Sequence, residues 1–325
     1  MKKVVVFVTI GFLFILFARC GKEEDPAQDF KIEGLTFDNY PKVDGSTSTQ
    51  PLNMLIACKL LGVRCDWEFG GKWGGLLGLE FWLTPDPEDI PAEYPDFFSE
   101  RVKVSQTHGA FMNLIDKNVD LIMTHRTLSP DEKAHAEEVG VTLIETPIAL
   151  DAFVFVVNKD NPVKSLTVAQ VQDIYTGEIT NWRQVGGQNE MMAPFVRPRN
   201  SGSQEIMESL VMKEKNISAS FEEREIVSMG GVFAEMRRSG AICYTFDYYK
   251  KIMVRVADED VPRLSINGIF PDEKTISERT YPFVSEVHVA IRGDLDKNST
   301  AYKLYELLQT KAGKSIIAES GYIPN

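Results

Sequence analysis

The chain has 325 residues, of which 43% are hydrophobic, and its formal net charge is −12. This length and composition suffice for a large buried core and favour two lobes over one small domain. A nucleic-acid-binding protein would normally carry a basic patch, and neither the net charge nor any cluster of Lys and Arg in the sequence indicates one. The composition therefore argues against nucleic acid as a partner.

The first residues have the pattern of an export signal. Lys2 and Lys3 precede an apolar run that ends at Phe17, and this run is shorter than the about 20 apolar residues that a transmembrane helix needs. Cys20 follows closely, so residues 1–19 are predicted to be a signal peptide that is removed. An uncleaved anchor is the alternative, and both interpretations place the folded part outside the cytoplasm.

Strand and helix signals alternate along the rest of the chain, which predicts an α/β fold with a mostly parallel sheet. The predicted strands are Arg101–Val104, Leu121–Met123, Ala152–Val157 and Ser285–Ile291. The predicted helices are Pro51–Leu61, Ala110–Asp116, Pro130–Val139, Val168–Tyr175, Gln204–Met212 and Ala301–Glu319.

The segment 63–99 breaks this alternation. It is rich in Trp and Gly and has no clear hydrophobic period. A segment of this kind is often a lid or a binding surface. Two interpretations stay open: an apolar flap packed over its own lobe, or a surface that faces a partner.

The remaining cysteines do not indicate a metal site. Cys58 and Cys65 form no CxxC pair and have no nearby His, so zinc is not expected. A disulfide between them is compatible with an oxidising compartment. Because Cys58 and Cys243 lie in apolar runs, where Cys behaves as a small core residue, we expect free and mostly buried thiols.

Three polar turns precede helices: residues 44–50, 105–109 and 197–203. The first turn of a helix has unpaired backbone N–H groups and a partial positive charge, so it can bind an anion. Arg197 or Arg199 could add a bidentate contact to two oxygens. Plain helix caps are the simpler explanation of any one turn, but three such turns in one chain favour a site for a small oxyanion.

Five segments carry a family resemblance. Two of them are Asp44-Gly-Ser-Thr-Ser-Thr-Gln-Pro-Leu52 and Arg197-Pro-Arg-Asn-Ser-Gly-Ser203, and the others are 147–158, 166–182 and 313–324. All five resemble the phosphate-binding proteins of phosphate ABC transporters, within the type II periplasmic binding protein superfamily. The similarity extends over residues 40–325 apart from the aromatic insertion.

This resemblance implies a two-lobed α/β fold with mixed sheets flanked by helices and a ligand cleft between the lobes. Lobe one would comprise 36–155 plus 280–325, with 63–99 as an insertion, and lobe two would comprise 156–279. Residues 20–35 would be a tether, lipid-anchored through Cys20 to the bacterial cell envelope. The expected partners are phosphate or a related oxyanion and an ABC permease; the protein would be a monomer without cofactor or metal.

The resemblance also assigns the ligand-binding residues. Position by position they are Ser48, Thr49, Gln50, Thr107, His125, Arg197, Ser201, Gly202 and Ser203. His125 stands where the family has an aspartate that accepts the proton of hydrogen phosphate. A neutral His125 could accept that proton through one ring nitrogen, and Asp151 and Asp247 are possible substitutes.

Two other classes of function stay open. A hydrolase of phosphate esters is one, but no Gly-x-Ser-x-Gly motif is present and the four His are scattered, so an enzyme is not expected. The other is a surface receptor that binds a larger ligand through the Trp-rich insertion.

Overall fold

The structure is a computed structural model of the chain that describes residues 30–70 and 80–325. The predicted signal peptide, Cys20 and the tether as far as residue 29 lie outside the described residues, as do residues 71–79 of the insertion. Among the described helices, none has both the length and the apolar character needed to cross a membrane.

Short strands and helices alternate along the described chain. The strands are β1 Val43–Gly45, β2 Cys65–Phe69, β3 Phe81–Pro85, β4 Leu121–Thr124, β5 Leu143–Val157, β6 Ser165–Leu166, β7 Ala193–Pro194, β8 Ala241–Phe246, β9 Ser265–Ile266, β10 Val284–Arg292 and β11 Ile323–Pro324. The α-helices are α1 Gln50–Leu61, α2 Phe97–Arg101, α3 Gln106–Ile115, α4 Pro130–Glu138, α5 Val168–Thr176, α6 Gly202–Ile206, α7 Gly231–Glu235, α8 Glu273–Ser277, α9 Thr300–Leu307 and α10 Lys311–Glu319.

A seven-stranded mixed sheet organises the molecule, with the strand order β1-β4-β10-β5-β8-β7 and β11 added beside β5. Only the outer pairs β1/β4 and β7/β8 are parallel, whereas β10 runs antiparallel to β4 and β5, and β5 runs antiparallel to β8. The prediction of a mostly parallel sheet is therefore wrong. Alternation along the sequence does not specify which strands become neighbours, and β8 and β10 reach β5 from distant parts of the chain.

The long strand β5 is shared by two halves of the sheet. Its first part, Leu143–Ala152, pairs with β10, and its last part, Phe153–Val157, pairs with β8. The last part is completely buried, as expected for a strand covered on both faces. The molecule is thus built around one strand that passes from one half to the other.

Several predicted elements differ from the structure. Helix α3 begins at Gln106 instead of the predicted Ala110. Residues 101–104 do not form a strand, because α2 ends at Arg101 and only an isolated bridge joins Val102 to β1. The predicted helix 301–319 is divided into α9 and α10, since Thr310 caps α10 by accepting a hydrogen bond from the Gly313 N–H at 3.2 Å. A Cβ at Gly313 would lie 2.3 Å from the Leu307 carbonyl oxygen, so only glycine permits this close packing of the two helices.

The insertion contains a hairpin that a disulfide ties to α1. Strands β2 and β3 pair antiparallel, and Cys65 on β2 is bonded to Cys58 on α1. The expectation of free thiols is wrong for this pair, although Cys243 is free and buried as predicted. The reason is local: Gly62 ends α1 with φ 70°, a left-handed conformation that suits glycine, and the chain turns back so that the two Cα atoms are 6.3 Å apart.

The hairpin packs against both halves of the molecule. On one side Trp82 and Leu83 are buried and β3 lies against α1. On the other side the Arg255 guanidinium stacks over the rings of Trp67 and Phe81, at 5.1 and 4.0 Å from their centroids. The insertion is therefore neither a flap on one lobe alone nor a surface that is wholly free for a partner.

Candidate functional site

A cavity of about 330 Å³ lies where the three polar turns meet. The first and third turns lead into α1 and α6, whereas residues 106–109 of the second form the first turn of α3 itself. The turns contribute to the cavity wall residues 46–48, Gln106 and Thr107, and Arg197 with residues 201–203. The structure thus brings together three sequence segments that lie far apart along the chain.

The first turn divides its hydroxyl groups between the cavity and the protein interior. Residues 47–49 form one 3-10 turn before α1. In this turn Ser48 lines the cavity, whereas the Thr49 hydroxyl donates a 2.8 Å hydrogen bond to the carbonyl oxygen of Met123 on β4. Thr49 therefore fixes the turn to the sheet, and Ser48 is left at the cavity wall.

The second and third turns touch each other across the cavity. Gln106 and Asn200 adopt positive φ values of 63° and 65°, a region that is costly for a residue with a side chain and is found at functional sites. A Cβ at Gly202 would lie 2.5 Å from the Thr107 hydroxyl. Glycine is thus required at position 202 for the close approach of the two turns.

Arg197 brings a buried positive charge to the cavity. Its side chain is 6% exposed, and its guanidinium donates hydrogen bonds to the Ser203 hydroxyl and to the Ile226 carbonyl oxygen. Burial lowers the pKa of this guanidinium from its usual value, but an arginine remains protonated in proteins. The other buried arginines of the described chain, Arg126, Arg263 and Arg292, pair with carboxylates. The contacts that Arg197 makes within the described residues are to neutral groups.

Three of the predicted ligand-binding residues do not line the cavity. Thr49 bonds to the sheet, and the side-chain amide of Gln50 donates a 2.8 Å hydrogen bond to the Leu83 carbonyl oxygen. His125 is 1% exposed and its ring stacks on Phe246 at 4.1 Å between centroids. None of the three residues belongs to the cavity lining, and the Oε1 atom of Gln50 is buried without a hydrogen-bond partner among the described residues.

The two aspartates considered as substitutes for His125 are also away from the cavity wall. Asp151 accepts hydrogen bonds from backbone N–H groups and contacts His125. Asp247 pairs with Arg263 at 2.6 Å and with Lys251 at 2.8 Å. Neither carboxylate belongs to the cavity lining, which contains the predicted residues Ser48, Thr107, Arg197, Ser201, Gly202 and Ser203.

Sequence analysis missed two cavity residues that come from the insertion. Glu80 and Trp82 line the cavity, and the Tyr249 hydroxyl donates a 2.7 Å hydrogen bond to the Glu80 carboxylate. The burial of Glu80 and Trp82, both 2% exposed, is not visible in a segment without a hydrophobic period. The composition of the segment, rich in Trp, was the only available signal.

The cavity is not arranged as a metal centre. Within residues 30–70 and 80–325, His, Cys, Asp and Glu side chains form no group of three or more that could hold a metal ion. The donors around the cavity are the hydroxyl groups of residues at the first turns of three helices and one guanidinium, and the carboxylate of Glu80 lies in the same lining. Such a donor set suits an anion with several oxygen atoms.

Comparisons with known proteins agree with this geometry. The model of the PBP superfamily domain matches residues 84–304. Protein SphX of Synechococcus elongatus is 26% identical over 234 residues, which are 69% of this chain and 68% of that protein. The phosphate-binding protein PstS of Bacillus subtilis is 27% identical over 186 residues, which are 56% of this chain and 58% of that protein.

Solved structures show the same fold. An ABC-type phosphate transport receptor from Vibrio cholerae has a TM-score of 0.57 at 23% identity, covering 86% of this chain and 98% of that one. A phosphate-binding protein from Stenotrophomonas maltophilia has a TM-score of 0.54 at 13% identity, covering 87% and 90%. The predicted two-lobed α/β fold, with mixed sheets flanked by helices, is confirmed. The family model matches more than half of the chain, which therefore belongs to the PBP superfamily.

Proposed function

We propose that this protein is an extracytoplasmic solute-binding protein that captures an inorganic oxyanion for an ABC transporter. Phosphate is the leading candidate for this anion. The observation that carries the proposal is Arg197, a buried cation at the cavity wall whose contacts within the described part of the chain are to neutral groups. A buried charge is costly unless it is paired. A bound oxyanion would supply a negative charge that pairs directly with the Arg197 guanidinium.

The rest of the cavity supports the same ligand class. The hydroxyl residues Ser48, Thr107, Ser201 and Ser203 line the same cavity as Arg197, near the N-terminal turns of three helices, where anions are stabilised. A volume of about 330 Å³ is at the lower limit for small-molecule sites. This size suits a small anion better than a nucleotide or a peptide.

The relatives support phosphate as the anion. PstS of Bacillus subtilis is a phosphate-binding protein, and the Vibrio cholerae structure is of an ABC-type phosphate transport receptor. Neither the hydrolase nor the receptor for a larger ligand is favoured by these similarities. Transfer of phosphate to a permease is part of the proposal by analogy with the family.

Export and anchoring form the second part of the proposal. The charged start, the short apolar run and Cys20 support a signal peptide and a lipid-modified cysteine in an envelope-bound protein. We propose that this protein is a monomer. Labelling of the full chain with a radioactive fatty acid, in cells that express it, tests this part. Label should enter the wild-type chain and be absent from the Cys20→Ser variant.

Calorimetric titration of the full chain tests the binding function. Phosphate should bind to the wild-type protein, and Arg197→Ala should weaken binding by about 2–5 kcal/mol, because it removes one partner of a buried charge pair. Arg199→Ala is the matched control: its side chain is 80% exposed and contacts Asp131 at 3.4 Å, so its loss should change the affinity little. An unchanged affinity after Arg197→Ala would contradict the proposal.

A further inference from the structure

A chain of hydrogen bonds leads from the cavity wall into the protein interior. The Ser48 hydroxyl lies 3.0 Å from Nδ1 of His125, and Nε2 of His125 lies 3.1 Å from Oδ2 of Asp151. All three residues are at most 4% exposed, and of the three only Ser48 lines the cavity. We refer to Ser48, His125 and Asp151 as the relay.

The hydrogen bonds of Asp151 determine which atom donates the proton in its contact with His125. Its Oδ1 accepts hydrogen bonds from the backbone N–H groups of Ala152 at 2.7 Å and Tyr248 at 3.0 Å. A carboxylate held in this way acts as an acceptor. Oδ2 is therefore available to accept a proton from Nε2 of His125.

The hydrogen bonds of Tyr322 independently indicate that Nε2 of His125 is the donor. Its hydroxyl lies 3.2 Å from Nε2 of His125, but it donates its own proton to the backbone carbonyl oxygen of Ser48 at 2.8 Å. Both neighbours of Nε2 are thus acceptors, so Nε2 carries the proton. In a neutral imidazole the other nitrogen, Nδ1, is then an acceptor, and it takes the proton of the Ser48 hydroxyl.

Ser46 does not compete for this position. Its hydroxyl is 3.5 Å from Nδ1 of His125, farther than the hydroxyl of Ser48, and it donates to the Thr49 hydroxyl at 3.1 Å. The proton of Ser46 is thus used within the turn. Nδ1 of His125 remains for Ser48.

We propose that the relay fixes Ser48 as a hydrogen-bond acceptor towards the ligand, so that the site selects an oxyanion that still carries an O–H group over one that does not. A serine hydroxyl has one proton and, once this is given to His125, offers only lone pairs. Hydrogen phosphate can donate to them, whereas sulfate would place oxygen against oxygen. The inference rests on the proposed function, and it makes His125 a positioning residue that acts through Ser48.

Glu80 is the competing explanation for such selectivity. Its carboxylate lines the same cavity and accepts a hydrogen bond from Tyr249. A carboxylate at the cavity wall could accept the ligand proton directly. The experiments must therefore separate Glu80 from the relay.

The protonated nitrogen of His125 is measurable in the unmodified protein. Heteronuclear NMR of the imidazole nitrogens distinguishes the two neutral forms of a histidine, and variants of the other three histidines assign His125 by elimination. The relay requires the proton on Nε2 in the wild-type chain. A neutral His125 with its proton on Nδ1 would overturn the inference without any variant of the site.

Asp151→Asn provides the sharpest variant. The oxygen of the new amide keeps the hydrogen bonds from the two backbone N–H groups, so the amide NH₂ group faces Nε2 of His125. Because the NH₂ group is a donor, Nε2 becomes the acceptor and the imidazole proton moves to Nδ1. The same change has this effect in a Ser-His-Asp triad. Nδ1 then donates to Ser48, whose own proton turns towards the ligand. We expect the ratio of phosphate to sulfate affinity to fall by about tenfold or more, together with the change in the NMR signal.

Ser48→Ala and Ser201→Ala form a matched pair. Ser48→Ala removes the acceptor and should lower the phosphate-to-sulfate ratio by about tenfold as well. Ser201 also lines the cavity, but its hydroxyl caps α6 by accepting from the Gln204 N–H at 3.3 Å. Loss of the Ser201 hydroxyl should weaken the binding of phosphate and sulfate in the same proportion and leave the ratio of the two affinities unchanged.

The outcomes separate the two proposals. A wild-type chain that binds neither anion in calorimetry contradicts the proposed function and the relay with it. If the wild-type chain prefers phosphate and the ratio of phosphate to sulfate affinity is unchanged in both Ser48→Ala and Asp151→Asn, only the relay is contradicted. Loss of the ratio in Glu80→Gln but not in Ser48→Ala would assign the selectivity to Glu80 and also overturn the relay.

Discussion

The two arginines near the cavity show how partners decide what a buried charge does. Arg126 donates to both oxygens of Glu132, at 2.6 and 2.7 Å, and lies over the Phe111 ring. Burial on its own would raise the pKa of Glu132, but the hydrogen bonds and charge of Arg126 hold that pKa below its usual value. Arg126 is therefore compensated by the protein, whereas the neutral contacts of Arg197 leave its charge for a ligand.

Gly202→Ala tests the close approach of the second and third turns. The new Cβ would lie 2.5 Å from the Thr107 hydroxyl, and overpacking of this kind costs about 1–3 kcal/mol. Because opening of the cleft relieves the clash, we expect the cost to appear as weaker anion binding in calorimetry rather than as loss of the fold. Gly109→Ala is the control, since its Cβ meets only the Cβ of Ser105, at 3.1 Å. Equal phosphate affinity in the wild-type chain and the Gly202→Ala variant would contradict this arrangement of the turns.

Sequence alone identified the three turns but not which of their side chains reach the cavity. Consecutive hydroxyl residues look equivalent in the motif, and their orientation depends on partners far away along the chain. Thr49 bonds to Met123, at a separation of 74 residues, and Gln50 bonds to Leu83, at a separation of 33. His125 likewise faces Ser48 and Asp151 rather than the cavity, which no local pattern specifies.

At the scale of secondary structure, the elements with strong local signals were predicted closely. Helices α4 and α5 begin where the sequence predicts, since Ser129 and Thr167 each form a capping box with the third helical residue. Gly177 ends α5 in a left-handed conformation. The strand partners of β5 and the hairpin in the insertion depend on long-range pairing, so propensity and period could not supply them.

The disulfide between Cys58 and Cys65 should stabilise the junction of α1 and the hairpin. It closes a loop with a sequence separation of 7, for which the loss of entropy in the unfolded chain corresponds to about 2 kcal/mol. Thermal unfolding followed by circular dichroism should thus shift to lower temperature when dithiothreitol is added. The Cys58→Ser/Cys65→Ser double variant should unfold at this lower temperature with or without reductant. An identical transition of the wild-type chain in both conditions would mean that the bond does not contribute.

At the scale of the whole molecule, the two halves are joined by a continuous strand and touch across the cavity. Near the crossing, the Phe153 N–H donates to the Phe283 carbonyl oxygen at 2.9 Å. Across the cavity, Arg126 donates to the Asn200 carbonyl oxygen at 3.2 Å, and the hairpin contacts Tyr249 and Arg255. A ligand that contacts both halves can therefore shift the balance between open and closed states.

Phosphate binding should therefore both stabilise the folded molecule and make it more compact. A ligand at one hundred times its dissociation constant adds about 2.7 kcal/mol to the stability of the folded state, which corresponds to a rise in the unfolding temperature of roughly 5 °C for a chain of this size.

Because the ligand would contact Ser48 and Thr107 on one side and Arg197 on the other, the radius of gyration from small-angle X-ray scattering should decrease in the same titration. Arg197→Ala should lose both effects at that phosphate concentration, whereas Arg199→Ala should keep them. Stabilisation without compaction would show that phosphate binds to one half only, and it would contradict closure of the two halves around the anion.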